Sequence, residues 1–177
     1  MEEQIIISLG SNLGDRLNAL YKALALLEAY PISIKLLSKV YETPAWGFKG
    51  DPFYNACVSI KTKLKPKDLL EVLLKVEKTM GRLPSKGKGY SSRTIDLDLL
   101  FYKSKNIFSA KLKVPHPKLH KRNFVLAPLC EIAPKFIHPI LFQTIEELFQ
   151  KSSDQTIAIP LTYDLGLPPI FESFPYI

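Results

Sequence analysis

The chain has 177 residues, 46% of them hydrophobic and 23% charged, which excludes a disordered polymer and fits one globular unit with a sizeable core. Lys and Arg number 24 against 17 Asp and Glu, for a formal charge of +7, which favours an anionic partner such as a nucleotide, a nucleic acid or a phosphorylated metabolite. No apolar run approaches the ~20 residues of a membrane span, and the acidic Met1-Glu2-Glu3-Gln4 start lacks the basic region of a secretory signal. Cys57 and Cys130 lie far apart in apolar segments, as two buried free thiols in a reducing compartment do. The expected setting is cytoplasmic, with no membrane partner.

Gln4 to Leu9 is an Ile-rich first strand, and Gly10-Ser11-Asn12-Leu13-Gly14-Asp15 breaks it as a strand-to-helix turn. Leu17, Leu20, Tyr21, Leu24 and Leu27 recur at helical spacing, which predicts a helix from Asp15 to Ala29 that Pro31 ends. Ile32 to Tyr41 reads as a second strand and Thr43 to Pro52 as a loop holding the only Trp. Phe53 to Leu64 is a third strand with Tyr54, Ala56, Val58 and Ile60 on one face and Phe53 and Asn55 on the other. Pro66 opens a second helix whose inner stripe is Leu69, Leu70, Leu73, Val76, Glu77 and Met80, and Gly81 suits its C′ position. Arg82 to Ser92 is a cationic Gly/Pro loop. Next comes a fourth strand, in the run Arg93-Thr-Ile-Asp96-Leu-Asp98-Leu-Leu-Phe-Tyr102.

The order β-α-β-β-α-β predicts a ferredoxin-like α+β core, an antiparallel sheet with helices on one face and the other face left for a site. Extra C-terminal elements follow: a mostly helical stretch from Lys118 to Ala133 and a capping box at Thr144-Ile-Glu-Glu147. Residues 1–159 read as one domain and 160–177, with four prolines and no Lys or Arg, as a tail that is either a linker or a docked extension.

The last strand carries the most informative pattern. Asp96 and Asp98 share a face, with Cα atoms roughly 6.5–7 Å apart, while Ile95, Leu97, Leu99 and Phe101 form the opposite, apolar face. Two readings stand at this point: a strand with one wet face, or a cation site. Strand interiors are depleted in Asp, and a hard cation such as Mg²⁺ relieves the repulsion and keeps positions for water and phosphate. Arg82, Lys86, Lys88 and Arg93 flank the pair, as the phosphate ligands of a metal–polyphosphate complex would. The loop is not a P-loop, because Gly81 and Gly87-Lys88 are one residue too far apart and no Ser or Thr follows the Lys. In Pro115-His116-Pro117-Lys118-Leu119-His120-Lys121-Arg122-Asn123-Phe124, Pro117 stands where a zincin needs Glu, so zinc is not expected. His116 reads as a phosphate or hydroxyl partner, His120 and His138 as surface residues, and Arg122 as either a phosphate ligand or an exposed cation. Phe53, Asn55 and Phe124 suit a flat, hydrogen-bonding heterocycle.

These segments together resemble the 6-hydroxymethyl-7,8-dihydropterin pyrophosphokinases of folate biosynthesis. The matching stretches are Ser8-Leu-Gly-Ser-Asn-Leu-Gly14, Glu42-Thr-Pro44 with Gly47, Tyr54-Asn-Ala56, Gly81-Arg82, Arg93-Thr-Ile-Asp-Leu-Asp-Leu-Leu100, Val114-Pro-His-Pro117 to Arg122, Phe124-Val-Leu126, Pro128-Leu129 and Glu131-Ile-Ala-Pro134. The resemblance implies the same ferredoxin-like fold and pyrophosphoryl transfer from MgATP to the pterin hydroxymethyl oxygen, with AMP as co-product. It implies that Asp96 and Asp98 bind two Mg²⁺ ions and that Arg82, Arg93, Asp96 and Asp98 are catalytic. It places Arg82, Tyr90, Arg93, Leu99, Lys111, His116 and Arg122 on ATP. Thr43, Pro44, Ala45, Trp46, Phe53, Asn55 and Phe124 fall on the pterin, with Phe53 and Phe124 sandwiching its ring. It also implies association with, or fusion to, other folate-pathway enzymes. The chain departs from the family pattern at Ser91-Ser92, where Gly-Pro is common, at Pro84, where a second Arg is usual, and at Lys111, where Arg is frequent. An RNA- or small-molecule-binding ferredoxin-like module is the alternative. The nucleic-acid form of it lacks an RNP1-type aromatic strand, so no nucleic-acid partner is expected.

Overall fold

The structure, a computed structural model, describes residues 4–82, 91–163 and 165–166. Its elements are β1 (Ile5–Ser11), α1 (Arg16–Glu28), β2 (Ile32–Leu37), β3 (Tyr41–Thr43), β4 (Phe53–Thr62), α2 (Pro66–Thr79), β5 (Asp96–Tyr102), β6 (Ile107–Phe108), β7 (Lys113–Val114), α3 (Asn123–Ile132), α4 (Ile145–Gln150) and β8 (Ile159–Pro160). The main sheet is antiparallel in the order β5-β1-β4-β3-β8, with β2 also on β4. This is the α+β ferredoxin-like arrangement that the order of elements predicts.

Local chemistry sets the helix ends. The Asp15 carboxylate accepts the Asn18 N–H at 3.0 Å and caps α1. Pro66 begins α2, and Gly81 follows it with φ +83°, a left-handed conformation that costs Gly little. Thr144 and Glu147 form the reciprocal capping box at the start of α4.

The expected second strand, Ile32 to Tyr41, is two strands. They follow one another along β4, β2 opposite 58–62 and β3 opposite 53–55. Between them Ser38 is buried, and its hydroxyl accepts the Cys57 N–H at 2.9 Å while its own N–H donates to the Cys57 carbonyl. A side chain thus completes the ladder where the strand is interrupted. Thr43, expected in the loop, ends β3.

Two clusters form the core. Ile5, Ile7, Leu9, Ala56, Val58, Ile60, Leu97 and Leu99 pack against Leu20, Leu24 and Leu27 of α1 and Leu69, Leu73 and Val76 of α2. The opposite face is not open along its whole length. Ile6, Cys57, Leu100 and Phe101 are covered there by Val125, Leu126 and Leu129 of α3 and Ile145 and Leu148 of α4. Phe101 therefore departs from the expected alternation. Leu99 pairs with Ile7 and Phe101 with Ile6, so the extra residue Leu100 bulges and turns Phe101 to the second face. His138, expected at the surface, is buried with its ring 5.5 Å from that of Phe101, and His120 is half-buried. The cysteines are free; Cys57 is buried, but Cys130 only half-buried. Past β8, Leu161 donates its N–H to the Val40 carbonyl and Leu165 is buried in the first cluster. Among the described residues no helix is long and apolar enough to cross a membrane.

Candidate active site

The end of the second face that α3 and α4 leave uncovered holds the site. Strand register brings its parts together: Gly10 of β1 lies between Asn55 of β4 and Asp96 of β5, and Ser8 lies between Cys57 and Asp98. Alternation then puts Ser8, Gly10, Phe53, Asn55, Asp96 and Asp98 on one concave surface. The loop after β3 adds Thr43, Pro44, Trp46 and Phe48, the segment before β5 adds Ser91 and Arg93, and the start of α3 adds Arg122 and Phe124. They enclose about 620 Å³ of non-protein space, its open mouth included.

One side of this pocket is aromatic. The rings of Trp46 and Phe124 lie 6.4 Å apart, and Phe48 meets Phe53 edge-on at 6.2 Å. The guanidinium of Arg122, a buried side chain, sits 5.1 Å from the Trp46 ring and 5.5 Å from that of Phe124. Asn55 is buried and donates from Nδ2 to the Thr43 hydroxyl at 2.8 Å. Gly10 makes room for it: a Cβ there would lie 3.2 Å from Asn55 Oδ1 and 3.6 Å from Phe53.

The other side is charged. Arg82 and Arg93 pair with Asp96 at 2.9 and 2.8 Å. Arg82 also pairs with Glu77, whose Oε1 accepts the Leu97 N–H at 2.8 Å, between the two aspartates. Burial raises the Asp98 carboxyl above the usual carboxylate range, and the Asp96 charge adds to this while Arg122, Arg82 and Arg93 oppose it. His116 is half-buried; its N–H donates to the Leu100 carbonyl. Burial and then the Arg122 charge push its imidazole down to about 4, so it is neutral near pH 7.

Asp96 and Asp98 fit a cation. They face one pocket, and the raised Asp98 carboxyl marks a charge the protein alone does not fully offset. Among the described residues no third His, Cys, Asp or Glu joins them. Two carboxylates without a protein cage suit a hard ion such as Mg²⁺, which keeps positions for water and phosphate oxygens.

Of the residues expected from the sequence, Thr43, Pro44, Trp46, Phe53, Asn55, Arg93, Asp96, Asp98, Arg122 and Phe124 share the pocket wall. Arg82 reaches it through Asp96. Ala45 is half-buried in the loop between Pro44 and Trp46. Leu99 is not on the wall; it is buried in the core under α1 and α2. Lys111 is exposed between β6 and β7. Tyr90, Lys86 and Lys88 lie outside the described residues. Arg122 is buried, which removes the reading of it as an exposed cation.

Sequence reasoning missed the roles of three contributors. Asn12, placed only in a turn, is buried; its Oδ1 accepts the Arg93 N–H at 2.6 Å and its Nδ2 donates to Ser92 Oγ and the Asp51 carbonyl. Arg16 donates to Glu42 at 2.9 Å and to the Pro52 carbonyl at 2.8 Å, so it grips both feet of the Trp46 loop. Glu77 was legible as a carboxylate in the inner stripe of α2, and a buried charge implies a partner. Burial pushes it up to about 7 against the lowering effect of the Leu97 N–H and Arg82. A raised carboxyl favours folding fully below its ordinary value of 4.5 and loses that contribution as pH rises through about 7. Glu77→Gln, which cannot ionise but keeps an acceptor for Leu97, is expected to flatten the fall in stability over that window; urea melts across pH measure it.

A family model described as 7,8-dihydro-6-hydroxymethylpterin-pyrophosphokinase matches residues 6–134. A 2-amino-4-hydroxy-6-hydroxymethyldihydropteridine pyrophosphokinase of Aquifex aeolicus is 43% identical over 144 residues, 81% of this chain and 88% of that one. A folate synthesis bifunctional protein of Arabidopsis thaliana is 46% identical over 131 residues, 73% of this chain and 27% of its own. The crystal structure of a Plasmodium falciparum HPPK-DHPS triple mutant superposes with TM-score 0.67 at 21% identity, over 84% of this chain and 44% of that one, and shares the fold. The chain thus spans most of the Aquifex protein and less than half of the two longer ones. With a pocket that joins an aromatic, amide-lined wall to paired aspartates and arginines, and with these matches across most of its length, the chain belongs to the 7,8-dihydro-6-hydroxymethylpterin-pyrophosphokinase family.

Proposed function

We infer that this pocket transfers the pyrophosphoryl group of ATP to the hydroxymethyl oxygen of 6-hydroxymethyl-7,8-dihydropterin in folate biosynthesis, releasing AMP. The observation that carries the reading is the juxtaposition in one cavity of a slot for a flat heterocycle and a carboxylate–arginine cluster for a triphosphate. The pterin ring stacks between Phe53 and Phe124, and Asn55, held by Thr43, bonds its edge. Pro44, Ala45 and Trp46 close that side. Arg82, Arg93 and Arg122 take the phosphate oxygens, with His116, Tyr90 and Lys111 as the further ATP contacts that the family pattern suggests; Leu99, buried in the core, is not among them. Asp96 and Asp98 would hold magnesium, two ions in this reading, which when bound supplies positive charge to the phosphate oxygens.

In the reaction the pterin hydroxyl oxygen forms a bond to the β-phosphorus. The bond from that phosphorus to the α-phosphate bridging oxygen breaks, AMP leaves and the hydroxyl proton passes to water. The chain's residues contribute position and fixed charge more than covalent chemistry. Arg82 and Arg93 pair with Asp96, and with a cation held by that carboxylate their guanidinium donors would be available to phosphate oxygens. A nucleic-acid platform is not favoured: the uncovered sheet end is a recess with two carboxylates, which repel phosphate in the absence of a cation.

Incubation with MgATP and the pterin, followed by chromatography for AMP, tests the assignment; absence of pterin-dependent AMP would sink it. Gly10→Ala is expected to raise the pterin KM about tenfold, since an added Cβ crowds Asn55 and Phe53 and overpacking of this size costs roughly 1–3 kcal/mol. Initial rates with each substrate varied in turn check that the ATP KM moves far less.

A further inference from the structure

Helix α3 sets one wall of the pocket from its first turn, because Arg122 immediately precedes it and Phe124 is its second residue. An exposed helix start leaves backbone N–H groups without partners. Here the residue in the capping position is Arg122, and its side chain makes no capping bond. The cap comes instead from 31 residues beyond Asn123. Asp154 Oδ2 accepts the Asn123 N–H at 2.7 Å. Asn123 returns the contact, its Nδ2 donating to the backbone carbonyls of Asp154 at 2.6 Å and Thr156 at 3.2 Å.

The segment that presents Asp154 is itself braced. Asp154 Oδ1 accepts the Thr156 N–H at 2.9 Å, and the Asp154 N–H donates to Ser152 Oγ at 3.2 Å. Burial alone would raise this carboxyl, yet the Thr156 and Asn123 donors hold it below its ordinary value. Three residues further on, the same strand of chain pairs as β8 with Tyr41 and Glu42 of β3, next to Thr43. One end of the segment therefore fixes the helix bearing Arg122 and Phe124, and the other abuts the strand bearing Thr43. All of it lies outside residues 6–134, the span matched by the family model.

We propose that Asp154 is a positioning residue for the transfer reaction: by capping α3 from outside the family core it fixes the placement of Arg122 and Phe124 on the pterin side of the pocket. The proposal rests on the reading of that side as the pterin wall. Asp154 does not touch the reacting groups; it acts through Asn123.

The test is pterin affinity of the full chain, read by fluorescence titration with a nonhydrolysable MgATP analogue present, beside thermal melts. Asp154→Ala is expected to raise the pterin Kd about fivefold, the size of a lost cap. Thr144→Ala is the control, since it removes the cap of α4, away from the pocket. It is expected to lower the melting temperature comparably and to leave the pterin Kd within about twofold. A pterin Kd in Asp154→Ala within twofold of wild type overturns the proposal, as does an equal rise in Thr144→Ala, which would make the effect one of general stability. Where Asp154→Ala does not fold, Asp154→Ser, whose shorter side chain withdraws the acceptor from the Asn123 N–H, is judged by the same criterion. A wild-type chain that binds no pterin would instead overturn the reading of the site itself, so the two failures are distinguishable.

Discussion

Asp98→Ala is expected to lower turnover by at least about a hundredfold, the worth of several kcal/mol of charge stabilisation on the transferring group, while leaving the folded chain at least as stable. The two halves of this expectation have one cause. Asp98 is recessed beside Asp96, and its raised carboxyl shows that without ligand its ionised form is disfavoured by burial and by its neighbour. Removing it takes away a like charge next to Asp96, which still keeps Arg82 and Arg93. Its backbone stays in the ladder opposite Ser8. A structural residue would behave in the reverse way. Glu77→Ala, for instance, would strip the Leu97 N–H and Arg82 of an acceptor and cost roughly 1–3 kcal/mol of stability. Steady-state AMP release and urea melts of Asp98→Ala decide the matter. Near-wild-type turnover, or a large loss of stability, would remove Asp98 from the role assigned to it.

That residue also shows what a sequence reveals and what it hides. Asp96 and Asp98 share a face because strand alternation is strictly local, and Phe53 and Asn55 were legible for the same reason. The register that sets Gly10 between Asn55 and Asp96 is a property of three strands at once, and nothing in Gly10-Ser11-Asn12 declares it. Leu100 makes the point more sharply. The run Leu97-Asp-Leu-Leu-Phe101 predicts regular alternation only while the partner strand keeps step, and the offset between Ile6 and Ile7 turns Phe101 over to the α3 side. Arg122 was legible as a cation but not as a buried one, because part of its shelter comes from Trp46, distant in sequence. Glu77 stood out in an apolar stripe, but its acceptor role toward Leu97 depends on how α2 lies against β5. Local periodicity thus carried the elements and most of the pocket wall. What it could not carry were the contacts in which one polar side chain joins segments far apart in sequence, as Asn12, Arg16 and Asp154 do.

Omission of divalent metal is expected to abolish AMP release, and the stabilisation given by added Mg²⁺ is expected to be larger near neutrality than in mild acid. The sign follows from Asp98. Its carboxyl is raised in the folded chain, so folding favours the protonated form. That contribution to stability is fully present below the ordinary carboxylate range, and it is lost as pH rises through the shifted value. A bound cation selects the ionised form and reverses the loss. In acid the ion must displace a proton from Asp98, and its net gain shrinks. Above the shifted value no proton is displaced, and the full gain appears. Thermal melts with and without Mg²⁺ between pH ~5 and ~8 read this difference, the window bracketing the raised carboxyl. Titration of Mg²⁺ in two buffers of unlike ionisation enthalpy reads the released proton directly. In Asp98→Asn the pH dependence should vanish along with most of the Mg²⁺ effect. A Mg²⁺ stabilisation equal at both ends of the range, or unchanged in that variant, would mean that the ion binds elsewhere, since Asp96 alone carries Arg82 and Arg93 in place of a cation.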